Sequence, residues 1–131
     1  MLRRPLAISA LAAAALTLSA AQRPAGFGQV SPGLWEISGL PGGKPLLQCI
    51  TATTVLAQLE HRARSCSQRV LRDGPTSLSV DYSCGPGEFG RSDVDVLTPR
   101  SLRIKTQGIS QQLPFSYLLQ ARRIGECPNR H

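Results

Sequence analysis

Four cysteines, Cys49, Cys66, Cys84 and Cys127, stand in a chain that opens with MLRRPLAISALAAAALTLSAA. No other feature narrows the fold as much. An even number of cysteines behind an export leader makes two disulfides the default, and a short chain fastened in this way folds around its cross-links as well as its core. The leader has the three-part pattern of a signal peptide: Arg3 and Arg4, an apolar run from Leu6 to Leu18, then Ser19 and Ala21 before Gln22. The run spans 13 positions, short of the roughly 18 that a bilayer-spanning helix needs. We therefore read residues 1–21 as a signal peptide and the mature protein as periplasmic or secreted, with no transmembrane segment after cleavage.

Cleavage leaves 110 of the 131 residues, enough for one domain. We read 22–33, rich in Pro and Gly and without periodicity, as a flexible lead-in, and 34–131 as a single β-rich domain. Trp35 and Ile37 alternate with Glu36 and Ser38, the period of a half-buried strand. Gly39 to Pro45 reads as a turn and Leu46 to Ile50 as a second strand. Past Thr53 the period becomes helical: Val55, Leu56, Leu59 and Ala63 share a face, Thr51 or Thr53 can cap the start, and Glu60 precedes Arg64 by four. This predicts one short helix with His61 on its solvated side.

The remainder reads as antiparallel strands. Leu78, Val80, Tyr82 and Cys84 alternate with Ser79, Asp81 and Ser83, Val94 and Val96 with Asp93 and Asp95, and Leu102, Ile104 and Thr106 with Arg103 and Lys105. A last strand runs from Phe115 to Arg123, although Leu118 and Leu119 together also permit a helix. The fold class is mainly β: an antiparallel meander forming a curved sheet or small lipocalin-like barrel, with one short helix and two disulfides.

Cys66 lies nine residues before Pro75 and Cys84 nine after it. A hairpin centred on Pro75 with a three- or five-residue loop sets these two opposite each other and leaves Cys49 for Cys127. A tight Asp73-Gly74 turn would instead place Cys84 opposite Ala63 and favour Cys49 with Cys66. Four cysteines allow three connectivities, and the first is our expectation. No C-x-x-C pair occurs and the histidines are His61 and His131 alone, so the spacing suits neither zinc nor any other metal, and no cofactor is implied.

Gly33-Leu34-Trp35 resembles the G-x-W at the first strand of lipocalins and related small barrels, where an arginine of the last strand stacks on the indole and seals the barrel's end. The resemblance implies a Trp35 pair with Arg122 or Arg123. A wider one spans nearly the whole mature chain: PGLWE at 32–36, QCIT at 48–51, Cys66, Cys84 and ARRIGEC at 121–127 look like a family of small exported proteins of Gram-negative bacteria classed as a domain of unknown function. It implies a periplasmic or secreted β-rich domain and carries over no catalytic residue. This chain departs from it in lacking methionine-rich strands, with Met1 its single methionine.

The residues argue for binding rather than catalysis. Nucleophilic catalysis would need His61 or His131 as base beside a serine or an unoxidised cysteine. Asp93 and Asp95 lie closer together along one strand than paired glycosidase carboxylates, and they face solvent. Without Arg3 and Arg4, 13 basic residues face 8 acidic ones, a balance of +5. Spread over all strands without interleaved aromatics, it is no footprint for nucleic acid. We expect a non-enzymatic domain that binds a small apolar or amphipathic ligand lined by Trp35, Tyr82, Phe115 and Tyr117. The alternative is a module that engages or inhibits an envelope or extracellular protein.

Overall fold

A computed structural model describes residues 25–129 together with 2, 12 and 13. Except at 2, 12 and 13, the predicted signal peptide lies outside the described residues, as do 22–24 of the lead-in and His131. Seven strands form one antiparallel sheet: β1 (Gly33–Ser38), β2 (Leu46–Ile50), β3 (Ser67–Asp73), β4 (Ser77–Gly85), β5 (Glu88–Thr98), β6 (Ser101–Ser110) and β7 (Leu113–Gly125). Their order is β2-β1-β7-β6-β5-β4-β3. The meander is thus as expected, and β7 is a strand throughout.

Period-two alternation decides which side of the sheet is buried. Leu78, Val80, Val94, Val96, Leu102, Ile104, Leu119 and Ala121 join Trp35 and Ile37 in one core on the inner face, while Asp93, Asp95, Arg103 and Lys105 stand exposed on the outer face. The innermost pair of the β3–β4 hairpin is Asp73 with Leu78, which encloses the four residues 74–77 rather than the three or five expected, and a bulge between Val70 and Arg72 then shifts the register so that Ser67 faces Ser83. Cys66 and Cys84 are next in line and are bonded, as are Cys49 and Cys127. The expected pairing is the one observed.

The sheet does not close into a barrel. First and last predicted strands do become neighbours, β1 beside β7, but β2 and β3 remain the two edges. The connection between those edges, 51–66, runs across the inner face and buries Leu56, Ala57 and Leu59 there. Ser92, in the middle of β5, donates from Oγ to the Ala57 carbonyl at 2.6 Å. With this strap filling the opening, edge-to-edge pairing is not needed to keep water off the core. Edge β3 has a bulge between Val70 and Arg72 and exposes Arg69 and Arg72, devices that discourage pairing with another chain.

Two further expectations are corrected. The predicted helix after Thr53 is a pair of 3₁₀ turns, Thr53–Ala57 and Leu59–His61, without a side-chain cap. Its hydrogen bonds include Gln58 N to Val55 O and His61 N to Gln58 O, spaced by three residues rather than four. Tighter winding turns the Glu60–Arg64 pairing away and brings His61 inward. The lead-in 22–33 was expected to lack fixed structure. It holds α1 (Ala25–Gly28), and both Phe27 and Val30 lie in the core. Gly26 N donates to Asp73, and Ser31 N to the Pro99 carbonyl at 3.0 Å, so this segment plugs the end of the sheet where β1 begins.

Candidate functional site

At the opposite end of the sheet, polar groups gather under the strap. His61 is 3% exposed, on the second 3₁₀ turn. Its Nδ1 lies 2.9 Å from the Tyr82 hydroxyl of β4, and its Nε2 lies 2.6 Å from Glu88 Oε2 at the start of β5. Expectation had His61 solvated. Burial is possible because β4 and β5 supply a partner to each ring nitrogen, so no polar atom of the ring is stranded.

Glu88 is fastened in turn. Its Oε1 accepts a 2.8 Å hydrogen bond from the Gln111 N–H, in the β6–β7 turn where Gln111 and Gln112 both have positive φ. That bond above all holds the carboxyl below its ordinary value of 4.5; desolvation opposes it, while the His61 hydrogen bond and the charges of His61 and Arg64 assist. Burial, seconded by the charge of Glu60, pushes the Tyr82 phenol well above its ordinary range. Tyr82 therefore keeps its proton and the Glu88 carboxylate only accepts. Because that carboxylate can only accept, Nε2–H of His61 donates to it, and the Nδ1–Tyr82 contact completes the chain.

Aromatic rings complete the cluster. Tyr82 and Phe115 both meet the His61 ring edge-on, at centroid separations of 5.3 and 5.9 Å, and Tyr117 lies 5.4 Å from Phe115. Tyr117 is itself held upward in pKa by burial and by neighbouring Glu60. Deeper in the core, Ser92 Oγ lies 2.8 Å from Thr106 Oγ1. Gln58 organises the strap from within, its Nε2 donating to the carbonyls of His61 and Arg64 at 3.2 and 2.9 Å. Arg64 donates to the Cys84 carbonyl at 3.0 Å, so the Cys66–Cys84 end of the strap is held by side chains as well as sulfur. His61 itself, with Glu60, Arg62, Arg64, Glu88 and Gln111, lines a pocket of about 280 Å³.

A family model described as Protein of unknown function (DUF3617) matches residues 30–127. It reaches from Val30, in the core, to Cys127, the last bridged cysteine. The chain belongs to the DUF3617 family. No curated protein and no solved structure matches it.

In this DUF3617 chain the four expected lining residues are divided. Tyr82, Phe115 and Tyr117 meet around His61, but Trp35 lies toward the other end, fully buried, its Nε1–H donating to the Ser31 carbonyl at 3.1 Å. Arg123 is the register partner of Trp35, and its guanidinium lies over Gly33, donating to the Pro32 carbonyl at 2.8 Å and pairing with Glu126 at 2.6 Å. Any Cβ at Gly33 would collide with that guanidinium, and the φ of +149° also favours glycine. Arg122 points to the outer face and reaches Glu36 at 3.4 Å. The G-x-W pattern thus places an arginine at the sheet's end, with the glycine beneath it.

Neither His61 nor Glu88 was found from the sequence as a site residue. The three partners stand at 61, 82 and 88, and they meet only through the 3₁₀ winding of the strap and the β4–β5 register. Among the described residues, no group of three or more His, Cys, Asp or Glu could hold a metal, and no helix is long and apolar enough to cross a membrane.

Acid should loosen this end of the domain first. Glu88 has a lowered pKa in the folded state, so its contribution to stability is complete above the ordinary carboxylate range and is lost as the pH falls through about 4.5 and below. Asp81, held low chiefly by its hydrogen bond to Arg91, adds a further loss at lower pH, below its ordinary value of 3.8. Thermal melts from about pH 6 down to pH 3 should show a falling midpoint, with a shallower fall in Glu88→Gln. Identical slopes for the two proteins would remove Glu88 from this account.

Proposed function

We propose that this protein is a non-enzymatic domain of an extracytoplasmic compartment that engages another envelope or extracellular protein through its exterior. The observation that carries this reading is the occupied inner face. The strap, Phe27 and the strand side chains fill the place where a lipocalin-like barrel would hold a ligand. Trp35, the residue best suited to report an apolar guest, is fully buried. The end cluster supports the non-enzymatic part, because both nitrogens of buried His61 are engaged by the protein's own Tyr82 and Glu88. Two disulfides suit an oxidising compartment.

Three measurements test the reading. N-terminal sequencing of the protein from a periplasmic or culture fraction should begin at Gln22; recovery of the whole chain from the cytoplasm would exclude export. Titration with fatty acids or detergents below micelle formation should leave Trp35 emission unchanged. A saturable shift at one ligand per chain would restore the small-ligand reading, whereas specific, saturable binding to one purified envelope protein would support the interaction module.

A further inference from the structure

The two edges of the sheet are guarded differently. Edge β3 carries a bulge and two exposed arginines, whereas edge β2, the stretch LLQCI, pairs with β1 in an unbroken register and holds no charge and no proline. Among the described residues, no chain pairs with its outer side. A strand left in this state offers unpaired N–H and C=O groups to a further strand. We propose that edge β2 is a dimerisation surface, on which a second copy of this chain lays its own β2 antiparallel about Gln48.

The strand is complementary to itself. In an antiparallel ladder about Gln48, Leu46 faces Ile50 of the second copy, Leu47 faces its Cys49, and Gln48 faces Gln48; each pairing recurs in reverse, as a two-fold interface requires. Partners in such a ladder share a side of the sheet. On the inner face, half-buried Leu46 and buried Ile50 carry the apolar layer across the join, with two amides at the centre that donate to and accept from each other. On the outer face, Leu47, 57% exposed, gains the bridged Cys49 as a neighbour. The register has little room to slip. Pro45 offers no N–H at one end, and at the other the chain leaves the sheet after Ile50 to form the strap. A shift by one residue sets outward-pointing backbone groups against groups turned toward β1. A shift by two leaves only three of the five residues paired.

Charge also selects a copy. Among the described residues near this edge, Lys44 precedes β2, Glu36 lies opposite Leu47 and is held by Arg122, and Glu126 lines a hollow with Ile50 and Thr51. Glu126 is 88% exposed, and its partner Arg123 is 14% exposed beneath it, so the carboxylate is the group an incoming chain meets. Antiparallel docking carries Lys44 of each copy to the Ile50 end of the other, where Glu126 stands, and keeps the two Lys44 at opposite ends. Five paired residues a side fall short of the roughly 1,000 Å² of a lasting interface, so the dimer is a reversible one that forms at high local concentration. This inference goes beyond the partner-binding reading and does not rest on it, since it needs no other protein.

Sedimentation velocity of the disulfide-bonded mature protein from about 10 µM to 1 mM should show a monomer–dimer equilibrium. Amide exchange compared at the two ends of that range should slow within Leu46–Ile50 and stay unchanged within Ser67–Asp73. Leu47→Lys places two cations on diagonal positions across the axis and should raise the dimer Kd at least about tenfold. Leu71→Lys, on the other edge, should leave the Kd unchanged, and both variants should melt as the parent does. A protein that stays monomeric over the whole range, or a dimer that Leu47→Lys does not weaken, overturns the proposal. Monomeric protein whose β2 amides are protected instead by an extended peptide of unrelated sequence also overturns it, and assigns the edge to a foreign strand.

Discussion

Replacing Cys49 and Cys127 together with alanine should lower the free energy of unfolding by about 4 kcal/mol, because their bond closes a loop across a sequence separation of 78. The corresponding replacement of Cys66 and Cys84, at a separation of 18, should cost about 3 kcal/mol on the same chain-entropy reasoning. Domains of this size have only about 5–15 kcal/mol of net stability, so either loss is a large share. The bonds also do different work. Cys49–Cys127 ties the edge strand β2 to the tail beyond β7, at the end plugged by Phe27, whereas Cys66–Cys84 anchors the strap next to the His61 cluster. Urea titration of the two double variants, followed by circular dichroism, measures both costs. If the variant lacking the 49–127 bond is the more stable of the two, loop length does not govern the effect here.

Trp35→Ala is expected to destabilise the domain by about 3–5 kcal/mol, the usual range for removing a large, fully buried ring. The reason is specific to the site. Trp35 sits between Gln48 of β2 and Arg123 of β7 in the ladder, one strand in from an open edge. Its indole is part of the core and also, through Nε1 and the Ser31 carbonyl, part of the link that holds the plug segment against the sheet. Truncation leaves a cavity and an unsatisfied carbonyl together, and the loss should extend to the packing of Phe27 and Val30. Trp35→Phe keeps most of the ring but not the donor, and should cost less, about 1–2 kcal/mol. Because Trp35 is the single tryptophan, unfolding of both variants must be followed by circular dichroism. Equal costs for the two would mean that the hydrogen bond matters more than the volume.

A good part of this architecture was legible in the residues. The strands of the meander declared themselves by alternation, because each buries one face and leaves the other wet. The Cys66–Cys84 bond followed from a symmetric spacing about Pro75, but it took the bulge between Val70 and Arg72 to bring it about, because next to the turn Asp73 faces Leu78 and the register is one residue off. The resemblance read from PGLWE to ARRIGEC pointed to a domain of unknown function, and a family model of that kind matches residues 30–127, although the folded unit also takes in Phe27 ahead of it. The strap was misread as a helix because its apolar positions suit a period of 3.6 almost as well as the tighter one; only packing against β5 chose between them. The lead-in looked featureless because a single phenylalanine and a single valine carry its burial, too few to make a period.

Sequence by itself determined the strand content, the buried face and the family, each resting on local spacing or on a pattern that the chain writes in order, and it narrowed the disulfide partners to an expectation that the structure then met. Only the tertiary structure decided that the sheet stays open, that the strap rather than a ligand fills it, and that His61, Tyr82 and Glu88 meet. All depend on which strands lie side by side and on how a connection crosses them, and those relations join residues that hold no fixed distance along the chain.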